Sequence, residues 1–509
     1  MLTTRTAPRL LHTRRLNPDY YAPVHIQDEA RLRSLGCFDL ADCGRFFAGP
    51  FGSELPGSVY RPSGVPLLRV GNVGSLDLIE SNLVFLDEQT HEKLSASEVI
   101  PGDLLIVKAS VGEKVCRFPS RFARGNITQH IIGVRPNGSV DMDYVAAVLF
   151  SPVGRRQLAR RSLGSIIQYL GVVDARTVLI PLLDPSAQCY IGEKVRQAGR
   201  LRARAAAAKA TANQIFEGAL RWDSVLATPL RSRLISAVTI GKRLDANFNS
   251  PSRARLADHL LSQRITTDEI DELVEVSAMI GWKGLTTENY VDVGPWLLRG
   301  VEIDDGVIHF DDLVCVEQRK YDEQPQIHLK EGDVAMTKDG TIGKAIVIPH
   351  LPRQIAAGST VARLRTKERS GLSPYYLEHV INHGVGQIQI ASFATGMAQP
   401  HITQEWIAQI QIPRLPVEGE VAHRVRQHHE LMVFAGALVR AAVLLVDLLL
   451  QGAVDGATLS RAHAALEAGD RSLDRTLLQS LRRGEGDGAL PLFPDLDALY
   501  ALLAETDRN

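Results

Sequence analysis

Cysteine is scarce in this sequence. The five residues, Cys37, Cys43, Cys116, Cys189 and Cys315, are odd in number and widely scattered; none stands in a C-x-x-C pair, and no histidine cluster has zinc-finger spacing. A disulfide-stapled scaffold and a structural zinc module are thereby excluded, and reduced thiols in a cytosolic protein are expected. An excess of either charge is lacking too: 57 Lys+Arg stand against 58 Asp+Glu, a formal net charge of -1. A uniformly basic surface is excluded while a local basic cleft is not, so a nucleic-acid reading has to rest on particular residues. Phosphate-cradling loops are missing: there is no G-x-x-x-x-G-K-[ST], and GPFG at 49–52 is a turn rather than a dinucleotide fingerprint. The N-terminus has no apolar run of signal-peptide length.

What is present is ordinary globular composition, 45% hydrophobic and 23% charged over 509 residues. At one domain per about 150 residues, that length predicts roughly three domains, or two large ones with an addition. A single stretch, 431–450, is apolar and long enough to cross a bilayer, but it contains Arg440 and Asp447, which are costly at membrane depth. It reads as a buried packing helix of a soluble, cytoplasmic protein.

The sequence repeats itself. RLNPDYYAP at 15–23 returns in degenerate form as RLDANFNSP at 243–251, an offset of 228. LLR at 67–69 returns at 297–299, EVIPGDLLIVKASVGEKV at 98–115 as HLKEGDVAMTKDGTIGKA at 328–345, and IIGVRP at 131–136 as VARLRT at 361–366, each at 230. Gln168 and Gln399 differ by 231, and the Ile-Pro ends at Pro181 and Pro413 by 232. Matches in one order with so small a drift indicate a duplicated unit of about 230 residues.

Each copy begins with short β-like runs separated by turn signals, such as PLLRV, GDLLIV and HIIGVR in the first and WLLRGVEI, GDVAMT and TVARLR in the second. Each ends in a long helical pattern, 191–220 and 420–452. Ile191, Val195, Ala198, Leu201, Ala205, Ala208, Ala212, Ile215 and Ala219 form one heptad-like seam. Val421, Val425, His428, Met432, Ala435, Val439, Ala442, Val446 and Leu449 form the other. Small residues at a seam let helix axes approach closely. The expected fold class is α+β: two duplicated domains of mixed β-sheet with short helices, separated by two long, antiparallel, coiled-coil-like spacer helices. The expected boundaries are 1–185, 186–222, 223–416, 417–452 and a helical extension at 453–509. A helix of this length spans about 45 Å, more than the roughly 34–36 Å of one DNA turn.

The run GPFGSELPGSVYRPSGVPLLRVGNV, then PGDLLIVKASVGEKV and an Ile-Pro strand before a long helix, resembles a target recognition domain. Its duplication with spacer helices resembles the DNA specificity (S) subunit of type I restriction–modification systems, over about residues 15–452. The resemblance implies a non-catalytic reader of double-stranded DNA with no cofactor of its own. One domain would contact each half of a bipartite site, and the spacers would dock two methyltransferase (M) subunits. Those partners would bring S-adenosylmethionine, and ATP with magnesium if restriction (R) subunits join. The chain itself lacks the Asn/Asp-Pro-Pro-aromatic motif of an adenine methyltransferase: Asn17-Pro18-Asp19-Tyr20 has only one of the two prolines. A stand-alone DNA-binding adaptor and a self-contained DNA-modifying enzyme with an unrecognised active site are the alternatives.

Base edges specify a sequence and phosphates only position the protein. Cations shared by the copies are therefore expected on phosphates: Arg69 with Arg299, Lys108 with Lys338, Lys114 with Lys344, and Arg135 with Arg365. Gln168 with Gln399 is likewise shared. Differing pairs are the candidate readers: Asn72 against Glu302, Ser110 against Gly340, Val111 against Thr341, Tyr169 against Pro400, and Leu170 against His401. Thr128, Gln129, Ser359 and Thr360 lie in loops beside them. In GRRQLARR, Arg155, Arg156, Arg160 and Arg161 read as a solvated face or a phosphate stripe. Arg200, Arg202 and Arg204 are candidates for meeting a partner's acidic surface. In the extension, Leu490, Leu492, Phe493, Leu496, Leu499, Tyr500 and Leu503 form an apolar stripe. It is expected either to pack back onto the second copy or to dock a partner.

Overall fold

The computed structural model describes residues 15, 17–50, 55–80, 82–109, 114–164, 168–227, 243, 245–279, 287–304, 306–396, 399–483 and 490–506. Ser110, Val111 and residues 51–54 of the recognition-domain run lie outside them. The chain forms two compact units, Met1–Leu201 with Phe434–Asn509, and Arg202–Val433. Both divisions fall inside long helices, Pro185–Leu220 and Glu418–Gln451. The start of the first helix shares a unit with the end of the second, and the remaining parts share the other unit.

In the first unit the strands are β1 (Cys37–Asp39), β2 (Gly44–Ala48), β3 (Val65–Leu68), β4 (Val84–Leu86), β5 (Glu98–Val99), β6 (Leu104–Val107), β7 (Val115–Arg117), β8 (Gly125–Ile127), β9 (Ile131–Pro136) and β10 (Leu179–Pro181). They make a β1-β10 ribbon and two four-stranded sheets, β2-β9-β6-β7 and β4-β3-β8-β5. The second unit has β11 (Thr267–Glu269), β12 (Val274–Ala278), β13 (Tyr290–Leu298), β14 (Ile303–Asp304), β15 (Val307–Ile308), β16 (Val314–Val316), β17 (His328–Leu329), β18 (Val334–Thr337), β19 (Ala345–Val347), β20 (Ile355–Ala357), β21 (Val361–Thr366) and β22 (Gln411–Pro413). Here the ribbon is β11-β22, the sheets are β12-β21-β18-β19 and β16-β13-β20-β17, and β14-β15 is an added hairpin. The orders coincide one for one, including the parallel neighbours β3-β8 and β13-β20.

Repeated side-chain devices produce the repeated sheets. Before the fully buried β6 and β18, Gly102 (φ 94°) and Gly332 (φ 84°) take the left-handed turn that glycine adopts without a Cβ penalty. Asp103 then accepts from Ile100 N at 2.9 Å and pairs with Arg135 at 2.8 Å. Asp333 accepts from Lys330 N at 2.8 Å and pairs with Arg365 at 2.7 Å. The expectation that Arg135 and Arg365 sit on phosphates is thus corrected: each neutralises a buried turn aspartate of its own chain. Buried glutamines form a second pair. Gln157 exchanges two hydrogen bonds with the backbone of Leu179, and Gln389 does the same with Gln411.

The helical seams are buried with one change of course. Ile191 through Ala212 and Val421 through Leu449 follow the expected positions, with Met432 half-buried. Beyond Ala212 the buried residues are Phe216 and Leu220 rather than Ile215 and Ala219. Consecutive steps of four drift off a seven-residue stripe, because 3.6 residues make one turn. In the second unit His428 Nδ1 hydrogen-bonds Ala205 O at 2.9 Å. The helix Glu418–Gln451 is long and apolar enough to cross a membrane, with mean hydropathy 2.3 over its best window, yet 56% of that window is buried inside the protein.

The extension departs from both expectations. It belongs to the first unit, and Leu492, Phe493, Leu496, Leu499, Tyr500 and Leu503 are all buried there. The stripe is core, neither a free docking face nor a lid on the second copy.

Candidate nucleic-acid interface

In the first unit, the loops after β3 and β8 enclose an open cleft of about 950 Å³ lined by Tyr60, Arg69, Asn82, Thr128, Gln129 and His130, among others. Thr128 N donates to Leu68 O at 3.1 Å, and Lys108 N donates to His130 O at 2.8 Å, which ties the cleft wall to the end of β6. Lys108 O in turn accepts from Leu170 N at 2.9 Å, so Tyr169 lies beside the same wall. Arg69, Lys108, Thr128, Gln129 and Tyr169 are therefore brought together. Lys114 stands close by, with Nζ 3.5 Å from Val70 O.

The second unit repeats the frame with other side chains. Lys338 N donates to Thr360 O at 2.8 Å, Lys338 O accepts from Ile402 N at 3.0 Å, and Gly300 N donates to Thr360 Oγ1 at 3.0 Å. Arg299, Lys338, Thr360 and His401 are thus gathered, with exposed Ser359 beside Thr360. Lys344 Nζ lies 3.2 Å from Ile303 O. Thr341 and Gln399 are exposed in this unit, as Gln168 is in the first.

Three expected roles change. Asn72 is buried; it accepts from Arg69 N at 3.0 Å and donates to Ile79 O at 3.0 Å, so it caps a turn and cannot reach a base edge. Glu302 does the same work for Arg299 N at 2.7 Å. Lys108 and Lys338 are buried as well. The Lys108 ammonium lies 5.7 Å from the Tyr169 ring centre, and that of Lys338 lies 2.7 Å from Asp339, so both amines are engaged within the chain. Nor is the GRRQLARR run a solvated face or a phosphate stripe. Arg156 holds Asp28 with two hydrogen bonds, Arg160 pairs with Glu29, Arg161 is buried on Thr177, and Arg155 lies 4.1 Å from the Phe150 ring centre. The run fastens its helix to the helix Pro23–Ser34.

The pairing of readers also shifts by one residue. Leu170 corresponds to Ile402 and Tyr169 to His401, because the equivalent backbone bonds to Lys108 and Lys338 come from those residues. The offset of 232 already holds at Tyr144 and Tyr376, whose hydroxyls donate to Pro181 O and Pro413 O. The two added residues therefore fall in the turn after β21. Gln168 and Gln399 are not equivalent positions. Asp339, Leu163 and Thr395, which share the frame with Tyr169 and His401, carried no signal beyond the Lys-Asp-Gly string.

Among the described residues no group of three or more His, Cys, Asp or Glu could hold a metal ion. No protein-family model and no curated protein matches the chain. Solved structures similar to it include type I restriction–modification proteins. The S subunit from M. genitalium is 12% identical, with 90% of this chain and 96% of that chain covered and a TM-score of 0.34. The HsdS subunit from Thermoanaerobacter tengcongensis is 16% identical, with 86% and 96% covered and a TM-score of 0.25. A chain from a type I system described for its complex assembly and conformational transition is 14% identical, with 88% and 98% covered and a TM-score of 0.27.

Proposed function

We propose that the chain is the non-catalytic DNA-recognition subunit of a type I-like restriction–modification or related phage-defence complex. Each unit reads one half of a bipartite site, and the long helices dock methyltransferase subunits, two in number, that modify adenine with S-adenosylmethionine. Restriction or other effector subunits, with their ATP and magnesium, join the same assembly. One observation carries this reading. The same backbone frame occurs twice, its internal turn aspartates and arginines are retained, and the side chains on its open loops differ: Tyr169 against His401, Gln129 against Ser359, His130 against Thr360. A reader of two unlike half-sites needs a common scaffold and divergent groups for the base edges.

The test is a pull-down of tagged protein from its native host, with mass spectrometry and DNA-site selection on the eluate. A co-purified methyltransferase and an enriched two-part motif are expected. A two-part motif without a methyltransferase means an adaptor, and neither means that the reading is wrong.

A further inference from the structure

The isolated bridges centred on Tyr169 and on His401, two in each unit, carry the sharpest chemical contrast between the copies. In the first unit Tyr169 pairs with both Ala109 and Leu163, exchanging hydrogen bonds of 3.0 and 2.7 Å with Leu163. In the second His401 pairs with both Asp339 and Thr395, exchanging two of 2.8 Å with Thr395. The backbone is the same; the groups offered to solvent are opposite in kind. Leu163 is 56% exposed and Tyr169 41%, an apolar pair left uncovered next to a polar cleft. The buried Lys108 ammonium lies 5.7 Å from the centre of the Tyr169 ring, a cation–π contact that fixes the ring. In the second unit Asp339 accepts from Lys338 Nζ at 2.7 Å and from His401 Nδ1, and the imidazole is about 40% exposed. With Nδ1–H given to the carboxylate, Nε2 of the neutral ring is an acceptor.

In the major groove the thymine methyl is the one apolar mark, and the amines of adenine and cytosine are the donors. Building on the DNA-reading function proposed above, we propose that this bridge is the specificity-determining position of each unit. Leu163 and Tyr169 contact the 5-methyl group of a thymine, and His401 accepts a hydrogen bond from the exocyclic amine of an adenine or cytosine.

The experiment uses the full chain and the duplex it selects, with single-base analogues at each position. Uracil in place of thymine removes only the methyl. Purine in place of adenine, or 2-pyrimidinone in place of cytosine, removes only the amine. One uracil in one half-site should weaken binding about fivefold, and one amine deletion in the other half-site about tenfold. Leu163→Ala with Tyr169→Ala should erase the first effect and spare the second, while His401→Ala should do the reverse. The untouched half-site shows that each variant is folded. Tolerance of every analogue by a protein that still prefers its own site would overturn this assignment and leave the DNA-reading function standing, as would discrimination that persists in the variants. Failure to select any DNA would remove both.

Discussion

Asp474, in the extension, accepts hydrogen bonds from Tyr190, Lys194 and Tyr500 at 2.6–2.7 Å, and both members of its ion pair with Lys194 are almost wholly buried. Burial works against its charge, but Lys194 and the three hydrogen bonds hold its carboxyl below the usual carboxylate range. Its stabilising contribution is therefore present above the unfolded carboxylate pKa and is lost as pH falls through the lower folded value. Asp474→Ala strands a buried ammonium and two phenols and should cost about 3–5 kcal/mol at neutral pH, measured by denaturant titration. Asp447 is the opposite case. Burial pushes its carboxyl up to about 6, the nearby Asp28 adds to the rise, and Arg156 offsets part of it. In that window the folded protein holds a proton that the unfolded chain has released, so stability falls as pH rises from about 4 to 6. Asp447→Asn should raise the Tm at pH 7.5 and by much less at pH 4.5; an equal shift at both would contradict the assignment.

The helix Pro185–Leu220 depends at its start on the extension, since Tyr190 and Lys194 spend their polar atoms on Asp474. Removing residues 453–509 should speed amide exchange over 187–200 and leave the second unit's strands protected, a difference that hydrogen exchange reads directly. The elements themselves were legible where local chemistry repeats. The Gly-Asp turns, the Ile-Pro strands and the heptad-like seams each leave a short string that survives duplication. What stayed hidden was decided at a distance. Nothing local in GRRQLARR announces that Asp28 and Glu29 wait for Arg156 and Arg160 on another helix. Asn72 looks like a free loop amide until Ile79 O and Arg69 N are seen to occupy it. The one-residue misplacement of His401 came from a chance glutamine match, and only the backbone bonds of Leu170 and Ile402 correct it.

At the scale of the whole molecule, the account is of one frame used twice with different groups on its open loops. On the proposed function, phosphate contact would fall to the cations least engaged within the chain. Lys344 is 44% exposed and Lys114 half-buried; each lies within 3.5 Å of a backbone oxygen, and Lys344 also makes a 3.7 Å contact with Asp304. Lys114→Ala and Lys344→Ala should each lower the slope of log K against log salt by about one, whereas Arg156→Ala, already matched by Asp28, should leave it unchanged. The most direct test of the duplicated reader is DNA-site selection by the purified full chain and its Tyr169→His variant. The account predicts a motif of two unlike half-sites at a fixed gap, with the variant altered in one half alone. A single undivided motif, or a change spread over both halves, would contradict it.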